Sequence, residues 1–250
     1  MKNHIIKIKN LLERHKIKYW LDFGSLLGAV REGDIIENDK DFDFSIWYEN
    51  KSKLKLFYKD LSKIGYKIIE QKNLPWLEDL VQIYLPVDEK TNFHIDIYIY
   101  KQFKNEACMR RLFVPSGVFS KLIFKILLIV TPSIDDTKLL GKKASIVKNI
   151  YNYLTKILPN NNYLSNLFLF IYGKYGRTIW LVSPITYFNK FSKIKLFSTE
   201  FYVPKNYKKY LSFRYGDNWI SPDPNFDTRK TGGRIERKIH NSWELPFFGK

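Results

Sequence analysis

The chain has 250 residues, and 45% of them are hydrophobic, so it is long enough to bury a substantial core. Its 42 lysine and arginine residues outnumber 25 acidic residues, and the resulting net charge of +17 indicates an anionic partner of some kind. The single cysteine, Cys108, excludes an internal disulfide and a thiolate zinc cluster, which fits a reducing compartment.

The first hundred residues predict a mixed sheet with helices, from apolar periodicity and from the residues that interrupt it. The amino-terminal segment is amphipathic and lacks the uninterrupted apolar block of a secretory signal. Helices are predicted at 1–16, 25–32 and 50–64, the last ending near Gly65. Strands are predicted at 18–23, 42–48, 66–71, 80–85 and 93–100.

From about residue 107 the pattern becomes helical, with candidate helices near 117–130, 137–158 and 162–173. A strand near 196–203 and a helix at 205–215 follow, and the basic segment 228–238 is interpreted either as one that orders over substrate or as a loose end. We therefore predict an α+β fold, in which a mixed β-sheet core is flanked by helices and carries a mainly helical annex. The predicted limits are 1–105 for the core, 106–195 for the annex and 196–250 for a segment that completes the core.

Residues 118–130, VFSKLIFKILLIV, are apolar apart from Ser120, Lys121 and Lys125. The run is shorter than the roughly 18–20 residues that cross a bilayer. It fits an interfacial helix, with lysines among lipid head groups, or an ordinary amphipathic core helix. The first interpretation implies a peripheral contact with a membrane.

Two predicted strands carry acidic residues at alternating positions. Asp41 and Asp43 lie two apart, so their carboxylates point to the same face while Phe42 and Phe44 enter the core. On the later strand, Asp96 shares a face with His94 and Tyr98, and we interpret His94 as a solvated or structural partner. If the two strands are neighbours, the three aspartates converge into a site for Mg²⁺, or Mn²⁺, which prefers oxygen ligands and substrate phosphates.

Two separate motifs resemble the LicD/fukutin family. The run YWLDFGSLLGAVREGDIIENDKDFDF at 19–44 is similar to the family's Leu-Leu-Gly-Ala-Val-Arg element and the acidic cluster that follows it. The run FYVPKNYKKYLSFRYGDNWISPD at 201–223 is similar to its carboxy-terminal element. Lys40, where many relatives have another acid, and Ser25, where threonine is commoner, depart from the pattern.

The resemblance implies a nucleotidyltransferase-like fold. It also implies transfer of a substituted phosphate, such as phosphocholine or a polyol phosphate, from a CDP-linked donor to a hydroxyl of a cell-surface glycan or its precursor, on the cytoplasmic side. By position, Asp41 and Asp43 are the metal-binding pair and Asp96 is a further catalytic and metal-binding residue. The implied substrate-binding residues are Gly24, Ser25, Arg31, Lys40, Tyr215, Asp217 and Trp219.

The residue types suit that chemistry, because phosphoryl transfer mainly requires an aligned donor and neutralised phosphate charge. Gly24 lets a backbone approach a phosphate, Ser25 can hydrogen-bond it, and Arg31 can add a bidentate contact. Asp96 can be a metal ligand, a general base, or both. Tyr215, Asp217 and Trp219 either contact donor or acceptor, or only end a helix and pack beside it.

Other functions use the same residues. The acids could transfer a nucleotidyl group to a small molecule, a protein or an RNA end, or the fold could bind ligands without turnover. Nucleic acid is disfavoured as the partner because the basic residues are spread along the chain, with no arginine-rich tract. The expected partners are therefore a CDP-linked donor and a saccharide acceptor, lipid-linked if the protein acts at the inner face of the plasma membrane.

Overall fold

A computed structural model describes residues 1–70, 79–86, 93–115, 118, 176–223, 226 and 231–238. Within these residues the fold is a mixed β-sheet flanked by helices, which confirms the predicted fold class of the core. The four α-helices are α1 (Lys2–Arg14), α2 (Phe23–Arg31), α3 (Lys51–Lys63) and α4 (Tyr207–Tyr215). Short 3-10 helices occupy Tyr48–Asn50 and Ile185–Phe188.

Ten strands are described. They are β1 (Tyr19–Leu21), β2 (Asp41–Trp47), β3 (Lys67–Glu70), β4 (Leu80–Tyr84), β5 (His94–Phe103), β6 (Glu106–Pro115), β7 (Gly176–Pro184), β8 (Phe191–Leu196), β9 (Thr199–Pro204) and β10 (Arg234–Lys238). The main sheet takes the order β1-β2-β5-β6-β7-β10, and β8 and β9 form a separate hairpin.

Strand β5 lies at the centre of the part of the sheet that carries the acidic residues. Its first half pairs in parallel with β2 on one side and antiparallel with β4 on the other, and β3 pairs with β4. Its last residues pair with β6. Strand β1 lies antiparallel to β2 on the side away from β5. A residue near the start of β5 therefore has a hydrogen-bonded neighbour strand on each side.

Alternation along β2 and β5 separates an apolar face from a polar one. Phe42, Phe44, Ile95 and Ile97 are fully buried in the core. On the apolar face, the Phe201 ring of β9 packs against the rings of Phe42 and Phe44 at centroid distances of 6.2 and 6.4 Å. This burial sets which face each strand turns to the core, and so which face carries the acids.

Several sequence predictions differ from the structure. The region expected to be helical from about residue 107 begins with strand β6 and ends with β7 and β8, because their residues pair with neighbouring strands. The single strand predicted near 196–203 is a hairpin, whose turn residues Phe197 and Ser198 have φ of 52° and 63°. The basic segment 228–238 contains β10. The candidate helices 117–130, 137–158 and 162–173 lie outside the described residues, apart from Val118.

The chain divides into two compact units. The first comprises Met1–Gln71, Asp79–Met109 and Leu181–Ile235, and it contains Asp41, Asp43, His94 and Asp96. The second comprises Lys72–Glu78, Arg110–Trp180 and Glu236–Lys250. The predicted domain limits at 105 and 195 remain predictions. Among the described residues, no helix combines the length and the apolar character needed to cross a bilayer.

Candidate active site

The register between β2 and β5 brings the predicted acids together. Asp41 pairs with His94, and Asp43 pairs with Asp96, across two parallel strands. Both pairs lie on the face opposite the apolar core residues. Asp43 and Asp96 are buried, whereas Asp41 and His94 are partly exposed at the strand ends. The acidic face is therefore reached from its Asp41 and His94 end.

Asp41, His94 and Asp96 form a compact group of possible metal ligands, since one ligand atom from each lies within 4.8 Å of the others. His94 Nε2 lies 3.4 Å from Asp96 Oδ1, and the His94 ring stacks on Tyr84 with a centroid distance of 5.3 Å. From the sequence, His94 is expected to be a solvated or structural partner. The sequence showed that His94 shares a strand face with Asp96, which is common in ordinary strands. The pairing of His94 with Asp41 is what places its imidazole among possible metal ligands.

Asp39 adds a fourth carboxyl group next to this cluster. Partial burial, followed by repulsion from the neighbouring Asp41, raises the pKa of Asp39 to about 7. Its carboxyl group is hydrogen-bonded to Asp41, and its Oδ1 accepts a hydrogen bond from the Lys40 amide at 3.1 Å. Negative charge is thus concentrated here in a protein whose net charge is strongly positive.

This donor set fits a divalent cation. Carboxylate oxygens suit Mg²⁺ and Mn²⁺, and an imidazole nitrogen is compatible with Mn²⁺ and with later transition metals. The groups that would hold the cation are Asp41, Asp96 and His94, with Asp43 on the same strand face as a further candidate. The carboxyl groups of Asp39 and Asp41 repel each other, and a bound cation would reduce this repulsion.

The turn into α2 is tied directly to Asp43. The Asp43 amide donates a hydrogen bond to Ser25 Oγ at 2.6 Å, and the Asp43 carbonyl accepts one from the Asp22 amide at 3.3 Å. Ser25 is buried, so its visible role is to position Asp43. The predicted phosphate contact of Ser25 remains a prediction.

Gly24 lies beside the carboxylates because it has no side chain. A β-carbon at this position would be 2.9 Å from Asp39 Oδ2 and 3.6 Å from Asp43 Oδ2. The preceding residue, Phe23, has φ of +44°, a conformation that costs free energy in a non-glycine residue. Its ring meets the Tyr98 ring edge-on at 4.7 Å. The Tyr98 hydroxyl in turn donates to Asp96 Oδ2 at 3.3 Å.

Arg31 and Lys40 occupy different surroundings. Arg31 ends α2, and its Nη2 lies 2.6 Å from Glu32 Oε1 in an ion pair. The Lys40 side chain is exposed, and its carbonyl accepts a hydrogen bond from the His94 amide at 3.1 Å. Lys40 therefore helps to join β2 to β5 through its backbone. Substrate contacts by either side chain remain predictions.

The carboxy-terminal motif places one residue close to the acids. Burial, and then the negative charge of Asp43, raise the pKa of the Tyr215 phenol well above its usual value. Asp217 is exposed and accepts a hydrogen bond from Ser212 Oγ, and Trp219 is partly buried against the core. Gly216, with φ of +86°, ends α4. Tyr215 is therefore the member of this predicted group that the structure brings to the acidic face.

Residues 16–122 match the family model described as LicD/FKTN/FKRP, nucleotidyltransferase domain. A Rickettsia typhi protein is 35% identical over 98 residues, which cover 38% of this chain and 31% of that protein. The ribitol 5-phosphate transferase FKRP of Mus musculus is 26% identical over 104 residues, covering 42% of this chain and 20% of FKRP. Human FKRP is 29% identical over 93 residues, covering 36% of this chain and 18% of FKRP.

This chain thus matches less than a third of the length of each of these relatives. Among solved structures, the crystal structure of ANT(2″)-Ia in complex with adenylyl-2″-tobramycin aligns with a TM-score of 0.30 and 15% identity. That alignment covers 61% of this chain and 97% of that structure. The family match contains every acid of the cluster, from Asp39 to Asp96, together with Gly24 and Ser25. The similarity to the nucleotidyltransferase domain of the LicD/FKTN/FKRP family thus covers residues 16–122, less than half of the chain.

Proposed function

We propose that this protein transfers a substituted phosphate, either a polyol phosphate or phosphocholine, from a CDP-linked donor to a hydroxyl group of a glycan, with Mg²⁺ or Mn²⁺ as cofactor. The observation that carries the proposal is the grouping of Asp41, His94 and Asp96 on two parallel strands of a domain of this family. The mouse and human relatives are ribitol 5-phosphate transferases, so CDP-ribitol is the first donor to test.

In the proposed reaction, an acceptor hydroxyl oxygen forms a bond to the donor phosphorus that carries the polyol or choline group. The bond from that phosphorus to the bridging oxygen breaks, and CMP leaves with the electron pair. A divalent cation, when bound, supplies charge neutralisation for the diphosphate. Asp41, Asp43, Asp96 and His94 are the residues that would hold it.

The hydroxyl proton needs an acceptor on the protein. Asp96 is suited to this role because its carboxylate is buried and oriented by neighbours, with Gln82 Nε2 at 3.4 Å from Oδ1 and the Tyr98 hydroxyl at 3.3 Å from Oδ2. Gly24 lets donor phosphates approach the backbone at the start of α2, next to Asp43. Ser25 and Arg31 are the proposed further phosphate contacts.

The net charge of the protein supports a proposal for where the reaction takes place. The net charge of +17 would attract the anionic donor and an anionic membrane surface alike. We propose a lipid-linked saccharide as acceptor and action at the inner face of the plasma membrane. Adding vesicles that contain an anionic lipid should pull the protein down on sedimentation at low salt, and neutral vesicles should not.

The test of the function is a donor panel. Purified protein is incubated with Mg²⁺ or Mn²⁺, one of CDP-ribitol, CDP-glycerol or CDP-choline, and saccharide acceptors, and CMP is quantified by chromatography. Acceptor-dependent release of CMP supports the proposal. Release of pyrophosphate from a nucleoside triphosphate instead would identify a nucleotidyltransferase, and donor binding without turnover would identify a binding protein.

Matched variants tie the activity to the site. Asp41→Asn should abolish CMP release because it removes a carboxylate from the cation-binding group. Asp34→Asn is the control, since Asp34 is a partly exposed aspartate of the same motif that pairs with Lys2 instead. Full activity in Asp41→Asn, with Asp34→Asn also active, would remove the site assignment.

A further inference from the structure

A second group of buried polar residues connects the two sequence motifs, and its members Ser45 and Tyr100 continue the strand face that carries Asp43 and Asp96. Asp22 is fully buried, and among the described residues a backbone amide and two hydroxyl groups donate hydrogen bonds to its carboxylate. The Phe23 amide donates to its Oδ1 at 2.9 Å, the Tyr210 hydroxyl donates to the same oxygen at 2.7 Å, and Ser45 Oγ donates to its Oδ2 at 2.8 Å. A buried carboxylate needs such donors, because burial removes its hydration.

The positive charge that balances Asp22 is Arg214, which is 1% exposed. Its Nε donates to the Tyr210 hydroxyl at 3.1 Å, and its Nη1 donates to the Gly232 carbonyl at 2.7 Å. Its Nη2 donates to the Tyr100 hydroxyl at 3.1 Å and to Ser183 Oγ at 2.8 Å. The Tyr210 hydroxyl therefore donates to Asp22 and accepts from Arg214. It joins a buried anion and a buried cation that come from opposite ends of the chain.

Hydrogen bonds connect this network to the backbone of Asp43 in the candidate site. Asp22 holds the first amide of α2, and its own amide donates to the Asp43 carbonyl. Ser25, three residues later, accepts from the Asp43 amide. Arg214 also lies 5.4 Å above the Phe23 ring, and Phe23 packs on the Tyr98 that donates to Asp96. Asp43 and Asp96 are thus both held by residues that depend on this network.

We propose that Asp22, Tyr210 and Arg214 are positioning residues for the cation site, and that Arg214 lets the carboxy-terminal helix α4 set the geometry of Asp43 and Asp96. This inference rests on the proposed function for its connection to turnover. The physical reason is that the partner groups of metal ligands hold ligand carboxylates in place, and loss of such partners typically lowers metal affinity by about 10–100-fold.

The test uses Tyr210→Phe, which removes one hydroxyl and keeps the ring. The matched control is Tyr19→Phe, since Tyr19 is another buried tyrosine of the same unit whose hydroxyl donates to a carboxylate, Glu13, at 3.1 Å. Mn²⁺ affinity is measured by isothermal titration calorimetry on the full chain, without donor. Tyr210→Phe should weaken Mn²⁺ binding by about 10-fold. Tyr19→Phe should lose stability but keep the wild-type affinity.

A milder variant covers the case in which Tyr210→Phe does not fold. Ser183→Ala removes one acceptor of Arg214 and should weaken Mn²⁺ binding in the same direction by a smaller factor. In turnover, both variants should lower kcat more than they raise KM for the donor, because they misplace the acids without touching the donor.

The outcomes separate this inference from the proposed function. Wild-type Mn²⁺ affinity in folded Tyr210→Phe and Ser183→Ala would overturn the positioning role, whatever their stability. Wild-type protein that binds Mn²⁺ but transfers nothing from any donor would defeat the proposed function alone, and the comparison of affinities would still decide the inference. Wild-type protein that binds neither Mn²⁺ nor Mg²⁺ would overturn the inference, and acceptor-dependent release of CMP would still decide the proposed function.

Discussion

Two glycines of α2, four residues apart, should respond in opposite ways to replacement by alanine. Gly24 and Gly28 lie in the same helix, and neither has a positive φ, so alanine can adopt the backbone conformation at both. In a helix interior, the position of Gly28, alanine is favoured over glycine by about 1 kcal/mol, and Gly24, as the second residue of α2, gains less from the substitution. The expected order of stability comes instead from what the new β-carbon meets.

At Gly24 the β-carbon would meet Asp39 Oδ2 at 2.9 Å, and that carboxylate is the end of a side chain that can rotate away. At Gly28 it would meet the Asp34 carbonyl at 2.7 Å and the Ile36 amide at 3.0 Å, which are backbone atoms of the adjoining loop. Overpacking typically costs about 1–3 kcal/mol. We expect Gly28→Ala to lose about 1–2 kcal/mol after the gain in helix propensity, and Gly24→Ala to stay within about 1 kcal/mol of wild type.

The two substitutions should affect Mn²⁺ binding in the reverse order, with the larger loss in Gly24→Ala. Moving the Asp39 carboxylate and crowding Asp43 changes the charge arrangement of the site, so Gly24→Ala should bind Mn²⁺ about 10-fold more weakly. Gly28→Ala, once folded, should bind Mn²⁺ as wild type does, because its clash lies at Asp34 and Ile36. Urea denaturation gives the free energy of unfolding, and calorimetry at low temperature gives the affinity.

Because about 1 kcal/mol corresponds to roughly 2–4 °C in Tm for a chain of this size, thermal melting can check the stability order independently. A Gly28→Ala variant as stable as wild type would contradict the prediction. A Gly24→Ala variant less stable than Gly28→Ala would also contradict it, because the clash at Gly24 would then not be relieved by side-chain rotation.

Three further predictions concern single aspartates. Asp41→Asn should raise the Tm measured in EDTA, because it removes the repulsion between Asp41 and Asp39. The same variant should abolish the rise in Tm that Mn²⁺ causes in wild type. A lower Tm in EDTA would contradict this prediction. Asp22→Asn should lower the free energy of unfolding by about 3 kcal/mol, measured in urea, because it leaves the buried charge of Arg214 without a counter-charge. A loss below about 0.5 kcal/mol, the range of ordinary surface substitutions, would show that the charge of Asp22 is unimportant. Hydrogen bonds from His15 and then Arg14 lower the pKa of Asp60 below its usual 3.8, so Asp60 stabilises the fold above that pH. The stability difference between wild type and Asp60→Asn should therefore disappear as pH falls through the lower, folded-state pKa, and a difference that persists at the acid end would refute the assignment.

Local patterns in the chain were sufficient for much of the core. The period of two along 41–47 predicted that Asp41 and Asp43 share a face, because buried phenylalanines at the alternate positions allow no other register. Helices α1, α3 and α4 and strands β2 to β5 were predicted within a few residues, since each has a clear periodicity and a glycine or polar boundary. Strands β6, β7 and β10 were not predicted. The pairing partners of β7 and β10 are distant in sequence, whereas β6 pairs with the preceding strand β5 but lies at the start of the region that was predicted to be helical.

Residue type and spacing over short distances were enough to predict the resemblance to the LicD/fukutin family, the acidic face of β2 and the acids on that face. The grouping of His94 with Asp41 and Asp96 required the folded structure, since it follows from the parallel register of two strands about 50 residues apart. The folded structure also shows that Arg214 neutralises Asp22 through Tyr210, 188 residues from Asp22 in the chain. The partner of a buried charge depends on how the whole unit packs, and the spacing of residues along the chain does not predict that packing.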